Sequence, residues 1–561
     1  MALLTSSSPL PIPATWLLSL LVLLYLLIRY PNRLVGTHPS RPGVHTFPGL
    51  PLIGNTLTIV RRGTVDQLHR LLEQLRASPL PVYSWTFWPT GRIIMMSRPE
   101  YIEYVQKTNF ENYTKGSYFR NAFSDLLGEN GIFVADGHPW KMQRKMASHI
   151  FSVNQFRSIV QTVVHSELLT LHTLLRNIST SSSPHLALPD LFFRYTLSSF
   201  ASIAFGADIG CLTSSPTCLD HQVPFSVAFD AAQEHINKRL VKPGWQVIEK
   251  FNQGGEDMRE WVKTIRGFAL GIIDKRLDEG KRERRDSGSG MGEEAKKKDL
   301  LGLAMELTKE REDLLIVVLN FLIAGRDTTA QSLSWLIIEL LTHPQHIPLI
   351  LDEIRNNLPP PSHPDSPVLL EYDQMKDLPY TTACISEAIR LHPSVAKNVK
   401  MVEQDDVIVP QGANPHNLPP LQVYKGEMVG WSDWVMARIP EVWGEDCEEY
   451  KPERFLRALS APSSQGSQQY QYRSPSEWQF HAFNGGPRRC LGQQLAMYEA
   501  LALVVAVLPS FELGWKEGQE TKWPPSYTSS VTLPTEPYEV VVRERERERR
   551  EGRSAQSGAE T

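Results

Sequence analysis

Residues 480–499 read FHAFNGGPRRCLGQQLAMYE. Gly485 and Gly486 let the backbone turn tightly and approach a flat ligand that side chains would hold off. Cys490 comes just before an apolar, helix-patterned run over 491–508. Its sulfur is therefore expected near a helix N-terminus, where free N–H groups favour thiolate over thiol. Arg488 and Arg489 place cations beside it. A lone cysteine is more often a small, buried, apolar side chain. Spaced as Phe483-x-x-Gly486-x-Arg488-x-Cys490-x-Gly492 and opening a helix, it reads instead as a metal-ligating thiolate.

At these residues the chain resembles the cytochrome P450 family of haem-thiolate monooxygenases. The resemblance implies a mainly α fold with smaller β-sheets (α+β). It implies haem b (iron protoporphyrin IX) held through Cys490 as axial iron ligand. Phe483 would pack on the proximal haem face, Gly492 would lie beside it, and Arg488 would reach a haem carboxylate. A thiolate on haem iron donates electron density and promotes O–O cleavage. The resemblance also implies NADPH-derived electrons delivered by a separate flavoprotein, NADPH–cytochrome P450 reductase. No convincing nicotinamide or flavin fingerprint occurs in this chain. Arg473, Arg488 and Arg489 are candidates to meet such an acidic partner.

The bulk numbers agree with a large globular enzyme. The chain has 561 residues, 41% hydrophobic and 21% charged, with formal net charge -4. No basic block is interleaved with aromatics, so nucleic acid is not an expected partner. Cysteines at 211, 218, 384, 447 and 490 are odd in number and scattered, against a disulfide framework. Length alone suggests a domain per roughly 150 residues. With no repeat and no clean linker, one catalytic domain over 56–542 is the expectation.

The N-terminus is different. Residues 10–28 read LPIPATWLLSLLVLLYLLI. With the prolines at or before its start, a helix over 14–30 would be about 25 Å long, slightly short of but sufficient for a bilayer. Arg29, Arg33 and Arg41 all follow it, which puts the catalytic part in the cytosol. The expectation is residues 1–30 as a single-pass transmembrane helix in membrane lipid of the endoplasmic reticulum. The alternative is a cleaved signal peptide, for which a charged n-region and a small-residue cleavage site are missing. Residues 31–55, including RPGVHTFPGLPLIGN, read as a proline-stiffened hinge.

Farther along, 82–97 holds two β-like runs split by Pro89-Thr90-Gly91, a hairpin signal. Residues 118–140 are aromatic-rich, and by resemblance they lie over the distal haem face. Phe119 and Phe123 are substrate-contact candidates, though core packing explains them equally well. Trp140 and Arg144 share a helical face. By resemblance they meet the haem propionates; alone, the pair would more often be a solvated face. Residues 281–298 are charged and glycine- and serine-rich, the composition of a mobile surface loop.

Residues 313–342 form a long apolar helix centred on AGRDTT. Small Ala324 and Gly325 would let it pass close to haem, with Ile323 and Ala324 as substrate-contact candidates. Thr328 can bond back to a preceding carbonyl and bend the helix, which is also the ordinary reading of a helical threonine. By resemblance, Asp327 and Thr328 are the catalytic pair that relays protons for dioxygen activation.

Glu387 and Arg390 form E-x-x-R, by itself more often a surface ion pair. By resemblance Arg454, in PERF, joins them in a buried network that braces the cysteine loop. The following stretch, SVAKNVK, should enter the haem cleft, with Val395 toward substrate and Lys400 toward a propionate. Residues 529–533, including Val531, could also reach the active site. Residues 543–561 read as a charged, solvated or disordered tail.

Residues 434–455, with AGRDTTAQSLSW and RLHPSV, resemble the branch that hydroxylates fatty acids and alkanes terminally. That implies a hydrophobic substrate, a medium- or long-chain fatty acid or derivative oxidised at or near the methyl end. A sterol, terpenoid or xenobiotic hydroxylase of the same family is the runner-up. A peroxide-rearranging haem protein is disfavoured by the retained Asp327 and Thr328.

Overall fold

The computed structural model describes residues 14–64, 66–148, 151, 159–286, 299–308, 310–363, 365–412, 414–459, 470–518 and 538–545. The part of the 281–298 stretch beyond Asp286 lies outside these residues, as do 529–533 with Val531, and 546–561.

Helices dominate and small sheets flank them. The helices that matter for the site are α1 (Ala14–Arg29), α2 (Gln67–Ala77), α3 (Gly116–Leu127), α4 (Gly137–Ser148), α5 (Gln161–Ser179) and α6 (Leu188–Phe205). They continue with α7 (Pro224–Arg239), α8 (Gln253–Asp286), α9 (Arg311–Thr342), α10 (Pro379–Leu391) and α11 (Gln493–Val507).

The centre of the molecule is α9. Its 32 residues make a rod of about 48 Å. It is apolar on nearly every side, which demands burial on nearly every side. It lies along α6, where Thr196 Oγ1 donates to the Arg326 carbonyl at 2.8 Å. A Cβ on Gly325 would sit 2.1 Å from the Phe200 ring of α6. Gly325 is thus small because of helix–helix packing, not to clear space for haem as the sequence suggested.

The largest sheet runs β1 (His45–Thr46), β2 (Val82–Phe87), β3 (Gly91–Met96), β6 (Met428–Ser432), β5 (Lys397–Val402), β4 (Tyr113–Thr114). The expected hairpin is present, with Phe87 opposite Gly91, whose φ of 79° turns the chain. Part of the proline-rich 31–55 stretch is docked on this sheet. β1 pairs with β2, and Arg41 is held by Glu427 at 2.5 Å. A three-stranded sheet joins Phe511–Trp515, Glu539–Glu544 and His185–Ala187. Arg543 and Glu544, assigned to the tail by sequence, therefore lie in a strand, and Glu544 pairs with Arg176 at 2.8 Å.

The expected transmembrane helix is not supported. Among the described residues no helix is long and apolar enough to cross a membrane. α1 has 16 residues, about 24 Å of helix against a hydrocarbon core of about 30 Å.

Candidate active site

The cysteine loop is held from three directions. Its own backbone closes it, with the Cys490 N–H donating to the Phe483 carbonyl at 2.8 Å. Gly486 has φ 59°, and a Cβ there would lie 2.7 Å from the Gln106 carbonyl oxygen. A Cβ on Gly485 would meet the Trp478 ring at 2.4 Å. His481 bridges Asp433 (2.6 Å) and the Gln106 side chain (2.7 Å), and Gln106 in turn donates to Asn484. None of Gln106, Asp433, His481 or Asn484 was singled out by sequence. Phe483 is half-buried and faces Phe480 edge-on, ring centres 6.1 Å apart.

Cys490 keeps solvent-accessible surface, yet dense protein around it makes burial the largest influence on its thiol. The accessible surface therefore faces a recess enclosed by protein. Burial pushes the thiol pKa up, against the N–H groups of Gly492 and Gln493 and the charges of Arg144 and Arg489. Those N–H groups and the two guanidinium charges favour the thiolate, as expected at a helix terminus, and a bound cation would add to them. Gly492 caps α11, and a Cβ there would be 3.9 Å from the Cys490 sulfur, an ordinary contact.

Cations gather beside this loop. Arg488 donates to Asp136 at 2.7 Å and to the Ala135 carbonyl at 2.8 Å, and stacks 4.5 Å over the Trp140 ring. It is committed to the interior, unlike Arg489, which is half exposed and paired with Glu477. Lys400 is 3% exposed and its Nζ has no hydrogen-bond partner among the described residues. Burial, with Arg488 and Lys115 nearby, holds it well below the usual lysine range. Burial and Arg488 push Lys115 down to about 7. Arg144 is half-buried, and its charge acts on both Cys490 and Arg488. Asp136 acts on Lys115, Lys400 and Arg488, and Glu111 adds a weaker pull on Arg488.

A flat group with two carboxylates fits this arrangement. It would supply the counter-charge that Lys400 and Lys115 lack, because a buried unpaired ammonium is costly. The donor set agrees. Among the described residues no three His, Cys, Asp or Glu side chains could together hold a metal, so iron at Cys490 would need its other ligands from a macrocycle. Haem would meet both conditions, with Cys490 available as its thiolate ligand and Lys400, Arg488, Trp140 and Arg144 available to hold its carboxylates.

One stripe of α9 is not fully covered by its neighbours. Most of the helix is buried, but Ile323, Ala324, Thr328 and Ser332 keep accessible surface. Ala324, Thr328 and Ser332 recur every four residues, so they share a face. Thr328 Oγ1 donates to the Ala324 carbonyl at 2.7 Å, the expected back-bond. Ser394 donates to the Thr328 carbonyl at 2.9 Å, which brings half-buried Val395 to the same turn. Asp327 points elsewhere. Arg326 and Gln233 of α7 donate to its carboxylate at 2.7 and 2.6 Å, and Arg326 also reaches Asp230. Burial pushes the Asp327 carboxyl up, against the pull of Arg326. Its partners on α7 carried no signal in the sequence.

Glu387, Arg390 and Arg454 do come together. Arg390 makes a two-point pair with Glu387 at 2.6 and 2.8 Å, and Arg454 reaches the same carboxylate at 3.2 Å. Arg390 also donates to the carbonyls of Ala437 and Cys447. The network abuts the start of the cysteine loop, sharing a small cavity with Phe480, His481 and Ala482.

Phe119 and Phe123 stack at 4.4 Å on α3. Phe123 is buried in the core, while Phe119 lines an apolar cavity with Trp85, Phe87, Leu240 and Met428.

The Cytochrome P450 family model matches residues 44–542. Cytochrome P450 monooxygenase cyp1 of Mycosarcoma maydis is 36% identical over 87% of this chain and 72% of its own length. Cytochrome P450 94A1 of Vicia sativa is 30% identical over 86% of this chain and 88% of its own. Cytochrome P450 86B1 of Arabidopsis thaliana is 33% identical over 76% and 73%.

Proposed function

The chain belongs to the cytochrome P450 family and is a monooxygenase; we propose that it hydroxylates a medium- or long-chain fatty acid or derivative at or near the methyl end. The apolar cavity beside Phe119 carries this reading, since twelve of its fifteen lining side chains are apolar or aromatic. The resemblance of residues 434–455 and of the α9 centre to terminal hydroxylases supports it.

Haem held through the Cys490 thiolate would supply the dioxygen-activating centre. The chain would do the rest. Lys400 and Arg488 would hold the carboxylates of that group, and the Ala324–Thr328–Ser332 face of α9 would help to shape the substrate space. Thr328 holds a proton on Oγ1, and Asp327, held by Arg326 and Gln233, would take up and pass on a proton as those contacts rearrange. Electrons come from NADPH through a separate flavoprotein reductase. The apolar side chains of α1 stand exposed, Trp16 at 69% and Ile28 at 72%, which supports contact with a lipid surface, for which the endoplasmic reticulum is the proposed site.

Reconstitution with reductase, NADPH and lipid vesicles, followed by mass spectrometry on a fatty-acid panel, tests the substrate. Hydroxylation near the methyl end is expected. No product from any acid, alongside turnover of a sterol or terpenoid, would move the assignment to those substrates. In the same assay Asp327→Asn and Thr328→Val should each lower product formation by about 10²–10⁴-fold. NADPH consumed without product should rise. Coupled turnover at the unsubstituted rate in both variants would remove them from proton delivery.

A further inference from the structure

The apolar cavity beside Phe119 contains one charged side chain, Lys397 of β5. Its Nζ donates to Gln67 Oε1 of α2 at 2.6 Å. Among the described residues it forms no ion pair with a carboxylate, and the charge that acts on it is another cation, Arg70. Arg70 is itself turned to the Gly63 carbonyl at 2.8 Å. A lone ammonium among Leu71, Trp85, Ile93 and Met428 has no structural purpose that these contacts supply. Burial pushes it down to about 7, so its charge is costly until an anion arrives.

The strand gives a direction. Ser394, three residues before Lys397, is bonded to the Thr328 carbonyl on α9. Three residues span at most about 10 Å. The cavity lining includes no residue of α9, so a chain gripped by its head at Lys397 would have to extend beyond the cavity to bring its tail to the Thr328 face. Lys400 is three residues farther on, beside Arg488 and Lys115, so β5 carries two lysines in different surroundings.

We propose that Lys397, presented by Gln67, binds the carboxylate of an aliphatic acid substrate and so selects the far end of the chain for oxidation. The proposal rests on the fatty-acid reading above and names the residue that recognises the acid. A carboxylate–ammonium hydrogen bond in an apolar site contributes enough to change affinity by about 10-fold or more.

Calorimetric titration of the full-length, haem-loaded protein with dodecanoic acid and with methyl dodecanoate tests it, using Lys397→Met and Lys397→Arg. The unsubstituted protein should prefer the acid. Lys397→Met should weaken acid binding by about 10-fold or more and abolish the preference over the ester. Lys397→Arg, which keeps the charge, should retain the preference. Acid and ester weakened equally in Lys397→Met, or an acid preference that survives it, would overturn the anchor. If the unsubstituted protein hydroxylates the acid while Lys397→Met keeps its preference, only the anchor fails. If the unsubstituted protein binds neither ligand, the fatty-acid reading fails with it.

Discussion

Glu387→Ala should cost about 3–5 kcal/mol of stability and yield protein that does not retain haem. Removing the carboxylate strands the Arg390 guanidinium, while Arg454 keeps Asp446 at 2.6 Å. The Arg390 and Arg454 side chains are 1% and 10% exposed, so water cannot replace the lost partner. Arg390 would keep its bonds to the Ala437 and Cys447 carbonyls, but a charge held only by neutral dipoles in the interior is a poor substitute. The Lys451 N–H, bonded to Glu387 at 2.9 Å, would lose its acceptor as well. The effect should spread to the cysteine loop, because Arg390 shares a cavity wall with Phe480 and His481. Haem content per folded protein and the thermal midpoint measure both consequences. Glu387→Gln, which keeps the shape and one acceptor oxygen, should be milder. Normal haem occupancy and an unchanged midpoint in Glu387→Ala would refute the bracing role.

Cys490→Ser should abolish monooxygenase turnover while leaving the loop folded. The loop depends on the Cys490 backbone N–H, on His481 between Asp433 and Gln106, and on Trp478 against Gly485, none of which involves the sulfur. A serine hydroxyl is far less acidic than a thiol and donates little electron density to iron. The carbon-monoxide difference spectrum of the variant should therefore lack the red-shifted Soret band of thiolate-ligated haem, with circular dichroism unchanged. A variant that keeps that band would place the ligand elsewhere.

The two predictions differ in how they could be reached. Cys490 stands out because its chemistry is compressed into ten residues, from Phe483 to Gly492. The hairpin of β2 and β3 is legible for the same reason, since its turn and both strands are neighbours in the chain. Glu387 and Arg390 are three residues apart, but Arg454 meets them across 67 residues, so resemblance and not spacing supplied it. Gln106 is 375 residues from His481 and looks like any helical glutamine until the fold brings them together. Lys115 and Asp136 stand 21 residues apart and belong to no motif, so only the fold brings them together. Gly325 was misread for a related reason. The sequence shows that a small residue is required but not which neighbour requires it, and the neighbour is Phe200. The helix expected over 14–30 and the observed Ala14–Arg29 differ by one residue; both are a few ångströms short of the hydrocarbon core of a bilayer.

The sequence by itself determined the family, the cysteine available to ligate a metal, the adjacent acid and hydroxyl on the central helix and the charged side chains available to the site. Those depend on residue type at short spacing, which the chain carries in one dimension. Only the tertiary structure decided which charges face each other. It turned Asp327 toward Arg326 and Gln233 and away from Thr328's carbonyl contacts, committed Arg488 to Asp136, and left Lys400 and Lys397 of one strand in separate surroundings. Burial and counter-charge set the state of an ionisable group, and both are sums over neighbours that lie far away in the chain.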